Sequence, residues 1–282
     1  MKRLIAATAL LLSLIIGHSS LAAEPLRVFI RSGPKSHGPG AHDHPSFLKD
    51  WMPLLNERGA KCTGGDDFPT KDQLAQTDVL VIHRDGGGNF TPDQEAMLTE
   101  YTKRGGGIVV IHAGCVADQP TGSDFFKALI GGSWRRPITK WREGPMHLYF
   151  TDRENPITKD MSNFEMDDEI YYDMDVDPAA RILAGAYTPK PAGARNEKAA
   201  KRAAEITKGG KEVSIYDIQP QVWMWEPEGY RAFVCIPGHY YANFNRPNFR
   251  ALILRGIAWA GKRDNADELC KPEELGDSLR YV

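Results

Sequence analysis

No cysteine framework, no basic surplus and no apolar run of membrane length beyond the N-terminus organise this chain. Its four cysteines, Cys62, Cys115, Cys235 and Cys270, are spread over 282 residues with no CxxC or zinc-finger spacing. They give no disulfide pattern, and Cys235 reads as a buried thiol in an apolar strand. Lysine and arginine (35) nearly balance aspartate and glutamate (37), so no charge excess points to nucleic acid. Gly86-Gly87-Gly88 is not followed by GK[ST] and lacks a GxGxxG context, so it is a flexible loop and implies no nucleotide cofactor. No internal repeat or second domain is visible.

What is present begins with an export signal. Lys2 and Arg3 precede an apolar run from Leu4 to Ile16, and Ser20-Leu21-Ala22 forms a small-x-small cleavage site. Residues 1–22 are therefore expected to be a signal peptide cut near Ala22 or Ala23, with the protein periplasmic or secreted. No cysteine follows the site, which argues against a lipoprotein anchor; an uncleaved anchor is the alternative. After cleavage no membrane span is expected. The 41% hydrophobic content suffices for one full core, placed here in an α/β domain over 23–262 with a polar tail over 263–282.

The chain is organised around Gly105-Gly106-Gly107-Ile108-Val109-Val110-Ile111-His112. Four β-branched residues without polar alternation predict a strand buried on both faces, as in the middle of a parallel sheet. Further strands are expected at Leu26–Ile30, Ala60–Thr63, Asp78–His83, Val213–Ile218 and Arg231–Ile236. Helices are expected at Ser46–Arg58, Thr91–Arg104, Ser123–Ile130 and Asn245–Ala260. Strands and helices alternating at this spacing predict a flavodoxin-like, doubly wound, mostly parallel sheet. Met146–Phe150, Glu169–Tyr172 and Arg181–Gly185 read as strands without long helices between them, an inserted antiparallel region. Lys190–Lys211 reads as a solvated loop.

Six histidines, His37, His42, His44, His83, His112 and His239, fall at or just beyond the carboxyl ends of expected parallel strands; His147 does not. Loops at these ends converge, and open α/β sheets bind ligands there. Imidazole is also the commonest transition-metal ligand. In an extended segment His42 and His44 point the same way, so His42-Asp43-His44 offers two ligands to one ion, with a third from the His112 or His239 rim. Asp167-Asp168-Glu169 is either a solvated turn or a source of a ligand or general base. Tyr171, Tyr172, Trp223, Trp225 and Tyr240 offer flat faces for a sugar ring or, individually, plain packing.

Taken together, Gly105–His112, Ile130-Gly131-Gly132, Asn155-Pro156-Ile157-Thr158, Asp168-Glu169-Ile170-Tyr171 and Gly238-His239 followed by Phe249–Ala260 resemble the trehalose-utilisation (ThuA-like) family, over about Leu26 to Gly261. The resemblance implies the class I glutamine amidotransferase-like fold. That superfamily carries a cysteine nucleophile at the turn after the central strand. Here His112 holds that position, Cys115 lies three residues on, and His239 stands in Pro-Gly-His-Tyr, so glutamine hydrolysis is not expected. The resemblance further implies a small-molecule sugar substrate, in routes where the sugar is first oxidised to a 3-keto form. A C3 carbonyl acidifies the C2 hydrogen, and a base can then eliminate the glycosidic oxygen.

On this reading His42, His44 and His239 hold a divalent metal (Zn, Mn, Fe or Ni). His112 or Glu169, with Asp168, supplies acid–base catalysis, and His37, His83, Tyr171, Trp223 and Tyr240 contact the sugar. Three alternatives stay open: a metal-assisted lyase, hydrolase or isomerase; a non-catalytic carbohydrate-binding module; and a hydrolase using Cys115 with His239. A homo-oligomer is compatible with each.

Overall fold

The computed structural model of the chain describes residues 24–187 and 218–276. The expected signal peptide, the Lys190–Lys211 loop and all of the Val213–Ile218 stretch but Ile218 lie outside the described residues. Within them the elements run β1 (Arg27–Arg31), α1 (His44–Glu57), β2 (Lys61–Gly65), α2 (Lys71–Ala75), β3 (Val79–Ile82), α3 (Pro92–Lys103), β4 (Gly107–Ile111), α4 (Pro120–Ile130), β5 (Gly132–Ser133), β6 (Lys140–Phe150), β7 (Phe164–Tyr172), β8 (Asp175–Val176), β9 (Arg181–Tyr187), β10 (Gln219–Trp225), β11 (Ala232–Cys235), α5 (Pro247–Ala260) and α6 (Pro272–Gly276).

Nine strands form one sheet in the order β2-β1-β3-β4-β11-β10-β9-β6-β7. The first five are mutually parallel and the rest join antiparallel. The parallel half has the strand order of a flavodoxin-like sheet. Its strands feed both faces by simple alternation. Val28, Ile30, Val109 and Ile111 join the cluster under α1 and α5, whereas Phe29, Leu80, Ile108 and Val110 join the one under α2, α3 and α4. Ile108 to Ile111 are wholly buried, each contributing about 1.5–3 kcal/mol through burial. Burial on both faces is why this run shows no polar alternation.

Local signals explain most boundaries. Thr91 and Gln94 form the expected capping box of α3. Helix α1 begins at His44, two residues before its expected start, because Asp43 caps it by accepting from the Ser46 amide. The sequence reading missed α2, which is too short to show a period, although Thr70 and Gln73 form its capping box. It also missed β10. Pro220 argues against a strand interior, and the strand accommodates it with register shifts between Pro220 and Trp223. The tail beyond Lys262 is less peripheral than its polarity suggests: Leu269 is buried, and Glu274 receives two bonds from Arg58 at 2.5 and 2.7 Å.

Candidate metal centre at the sheet rim

Strand β4 delivers the first ligand. His112 follows Ile111 directly, fully buried, with φ at +52°. This left-handed conformation is uncommon for a residue with a side chain. The turn is held by close packing: a Cβ on Gly114 would come within 2.6 Å of the Ile82 carbonyl. His112 Nδ1 lies 2.8 Å from the Ile236 carbonyl. Only an N–H can bond a carbonyl, so Nδ1 carries the proton and the Nε2 lone pair faces inward.

His42 faces it from the loop after β1, the two Nε2 atoms 2.9 Å apart. His42 Nδ1 is 3.2 Å from Ser36 Oγ. Ser36 Oγ also lies 3.0 Å from His37 Nδ1. The carboxylate of Asp85, 3.2 Å away, can only accept. We therefore assign the hydroxyl proton to Asp85 and Ser36 as acceptor from His42, again with the Nε2 lone pair inward. His239, from the loop after β11, places Nδ1 3.2 Å from His112 Nε2. Glu169 on β7 brings Oε2 to 3.3 Å from His112 and 3.2 Å from His239. The four ligand atoms all lie within 4.8 Å of one another, on four buried residues. The Tyr171 hydroxyl lies 3.3 Å from His112 Nε2.

This arrangement suits a cation. Ligands about 2.1 Å from one ion, at tetrahedral or cis-octahedral angles, stand about 3.0–3.4 Å apart. Three neutral imidazoles and one carboxylate form an N/O set compatible with Zn, Mn, Fe or Ni. A carbonyl behind one histidine and a hydroxyl–carboxylate pair behind another are the usual supports of metal-bound imidazole. The electrostatics agree. Burial pushes Glu169 up, but His112 and His239 outweigh it and hold the carboxyl well below its ordinary range. Burial disfavours charge on His112 too, but the Glu169 hydrogen bond and charge outweigh it and raise its proton affinity. Burial lowers His42 to about 4. The buried cluster could hold a metal.

The backbone holding His239 is fixed by Asp168. This fully buried carboxylate accepts from the amides of Glu169 (2.7 Å), Gly238 (3.1 Å) and His239 (3.0 Å) and from Asn243 Nδ2 (2.7 Å). Burial pushes its pKa up, yet every neighbour is an N–H donor, so we assign the ionised form. It shapes the turn and bonds none of the four ligand atoms. The two histidine loops are also stitched together: His42 N donates to His239 O at 2.9 Å and Tyr241 N to Gly40 O at 2.9 Å.

The structure places the other candidate residues variously. His44 is not among the described residues whose ligand atoms converge with those of His42. His42 is left-handed (φ +43°) and His44 already begins α1, so the alternation of an extended segment does not apply. His44 packs instead against His83, ring centroids 4.7 Å apart, both buried. Among the described residues none of their four ring nitrogens has a hydrogen-bond partner within ordinary geometry, although the Gly238 backbone acts on His83. His83, tilted against Phe47 and edge-on to Phe244, is not among the residues whose ligand atoms converge. Trp223 is corrected from sugar platform to core: it is wholly buried, with Nε1 donating to Ile130 O at 2.8 Å. Cys115 is fully buried among apolar side chains, and burial raises its thiol pKa, an environment that disfavours a thiolate nucleophile. His37 is exposed beside His42, ring centroids 3.9 Å apart. Tyr240 is half-buried against His239 and donates to Glu143. Glu143 and the histidine-supporting Ser36 and Asp85 escaped the sequence reading, since a lone serine or acid carries no pattern.

Fold and rim together define a flavodoxin-like α/β protein with an imidazole–carboxylate site at the carboxyl ends of its strands. Residues 40–260 match the family described as trehalose utilisation (ThuA), and the chain belongs to that family. It is similar to a ThuA-like protein from Bacteroides uniformis, at 19% identity and TM-score 0.62, covering 90% of this chain and 99% of that one. It is also similar to a ThuA-like protein from Parabacteroides merdae, at 17% identity and TM-score 0.59, covering 84% and 90%. A carbohydrate deacetylase matches at 11% identity and TM-score 0.50, over 84% of this chain and 32% of its own. Curated protein sequences give no match. Among the described residues no helix is long and apolar enough to cross a membrane.

Proposed function

We propose that the protein is an exported, metal-assisted enzyme acting on an oxidised sugar, a 3-keto disaccharide or glycoside, as a lyase, hydrolase or isomerase. One observation carries the reading. The Nε2 lone pairs of His42 and His112, each directed inward by the partner of its own Nδ1, face each other at 2.9 Å beside the Glu169 carboxylate. Such a cluster is repulsive unless a cation or a proton lies within it. When bound, a divalent cation supplies Lewis-acid polarisation of a carbonyl or enediolate oxygen.

The chain's own residues divide the remaining work. His42, His112, His239 and Glu169 hold the cation, which revises the expected ligand set and takes His112 and Glu169 away from the role of base. The Tyr171 hydroxyl can donate to an oxygen at the cluster. His37, exposed at the mouth, is then the group placed to accept the C2 proton. The family and the leader expected at residues 1–22 support a sugar substrate and a site of action outside the cytoplasm.

The test is turnover of a 3-keto disaccharide by metal-loaded protein. His112→Ala should abolish it. His37→Gln should lower kcat about 100-fold or more while leaving metal content unchanged. Binding of the sugar with no product from the wild type would instead identify a carbohydrate-binding module.

A further inference from the structure

Strand β1 ends in Arg31, whose side chain is 5% exposed. Its guanidinium lies between the rings of Phe68 and Phe90, 5.1 and 5.2 Å from their centroids, and one nitrogen donates to the Gly87 carbonyl at 3.2 Å. Among the described residues no carboxylate lies within ion-pair distance of it, and Nε has no partner. Arg255, the other arginine buried to this degree among the described residues, is paired with Asp267 at 2.6 Å. Rings can favour a guanidinium, but they do not neutralise it.

A second guanidinium with no carboxylate partner among the described residues is close by. Arg84 follows β3 and is half-buried; it donates to the carbonyls of Ser32 (3.3 Å) and Asp66 (2.8 Å), and its Nε is likewise buried without a partner. Its proximity, together with burial, lowers the pKa of Arg31 to about 10, burial being the larger cause. Glycine makes the room: a Cβ on Gly33 would come within 2.9 Å of Arg84 Cβ.

The placement matters as much as the charge. From β1 the chain passes to β2 on one side and then to β3 on the other. Arg31 and Arg84 therefore flank the point where strand order reverses, and ligands of open α/β sheets sit at such a crevice. We infer that the carboxyl ends of β1 and β3 form an oxyanion site, in which the guanidinium groups of Arg31 and Arg84 take a phosphoryl or carboxylate group. Guanidinium forks match the geometry of either group. Neither arginine bonds any of the four cluster residues.

Calorimetric titration of the full chain with inorganic phosphate, and separately with acetate, tests the inference. Saturable one-to-one binding is expected, and Arg84→Met should weaken it about tenfold or more. Arg31→Met should do the same where circular dichroism shows it folded; should it fail to fold, the half-buried Arg84 variant still decides. Tighter phosphate binding marks the occupant as a phosphoryl group and tighter acetate binding as a carboxylate, and both support the site. His112→Ala should leave binding intact. No saturable binding of either anion, or binding that survives Arg84→Met, would overturn the site, as would binding lost in His112→Ala.

Discussion

Asp168 shows how much of the rim depends on a residue that touches none of the four ligand atoms. Its two oxygens collect four N–H donors and thereby set the turn that carries His239. In Asp168→Asn one acceptor becomes a donor facing donors. The expected cost is about 3 kcal/mol of stability, with metal affinity reduced about 10–100-fold. Thermal unfolding of the metal-free variant and competitive metal titration read the two effects separately. At this scale the sequence was partly legible. The histidines stood out because they end buried strands. Which of them converge did not, because that depends on backbone conformation: φ of +43° at His42 turns its ring towards His112, while the helical start at His44 turns the next one into the core. Trp223 misled for a related reason. An aromatic in a strand interior can face core or rim, and nothing in Val222-Trp223-Met224 says which.

At the level of elements, the parallel half of the sheet was readable from runs such as Val79–Ile82 and Gly107–Ile111, whose continuous apolarity follows from burial on both faces. The antiparallel half was readable only in outline. Strand β6 begins at Lys140, six residues before its apolar stretch, because its outer residues are mostly solvent-facing while pairing still continues along β7. The loops that carry ligands are fixed by glycine where close approach demands it. Gly238 has φ at +139°, and a Cβ there would lie 3.0 Å from Ile111 and 3.4 Å from His112 Cβ. Gly238→Ala should therefore destabilise by about 2 kcal/mol and displace His239. Urea unfolding gives the first effect. Loss of bound metal at unchanged secondary structure gives the second, and a variant with wild-type stability and metal content would contradict this role of the turn.

For the molecule as a whole, three buried histidines make stability depend on pH. Burial lowers His42 to about 4, His44 to about 3 and His83 well below its ordinary value. In the unfolded chain each titrates near 6.5. Below that pH the unfolded state binds protons that the folded state does not, so stability is full above about 6.5 and falls as pH is lowered, by about 1.4 kcal/mol per unit for each such group. His112, whose proton affinity is raised, opposes the trend but is one against three. Urea denaturation of metal-free protein at pH 7 and pH 5 should show the loss, and His83→Leu should make the decline shallower. Equal stability at both pH values would contradict the neutral, buried state of these rings.

The central claim is that His42, His112, His239 and Glu169 together hold one divalent cation. Elemental analysis of the purified, tag-free protein beside the His42→Ala/His239→Ala variant tests it most directly. Near-stoichiometric zinc, manganese, iron or nickel is expected in the wild type and little in the variant. A wild type that holds no metal even after incubation with each of these ions, or a variant that retains a full equivalent, would contradict it.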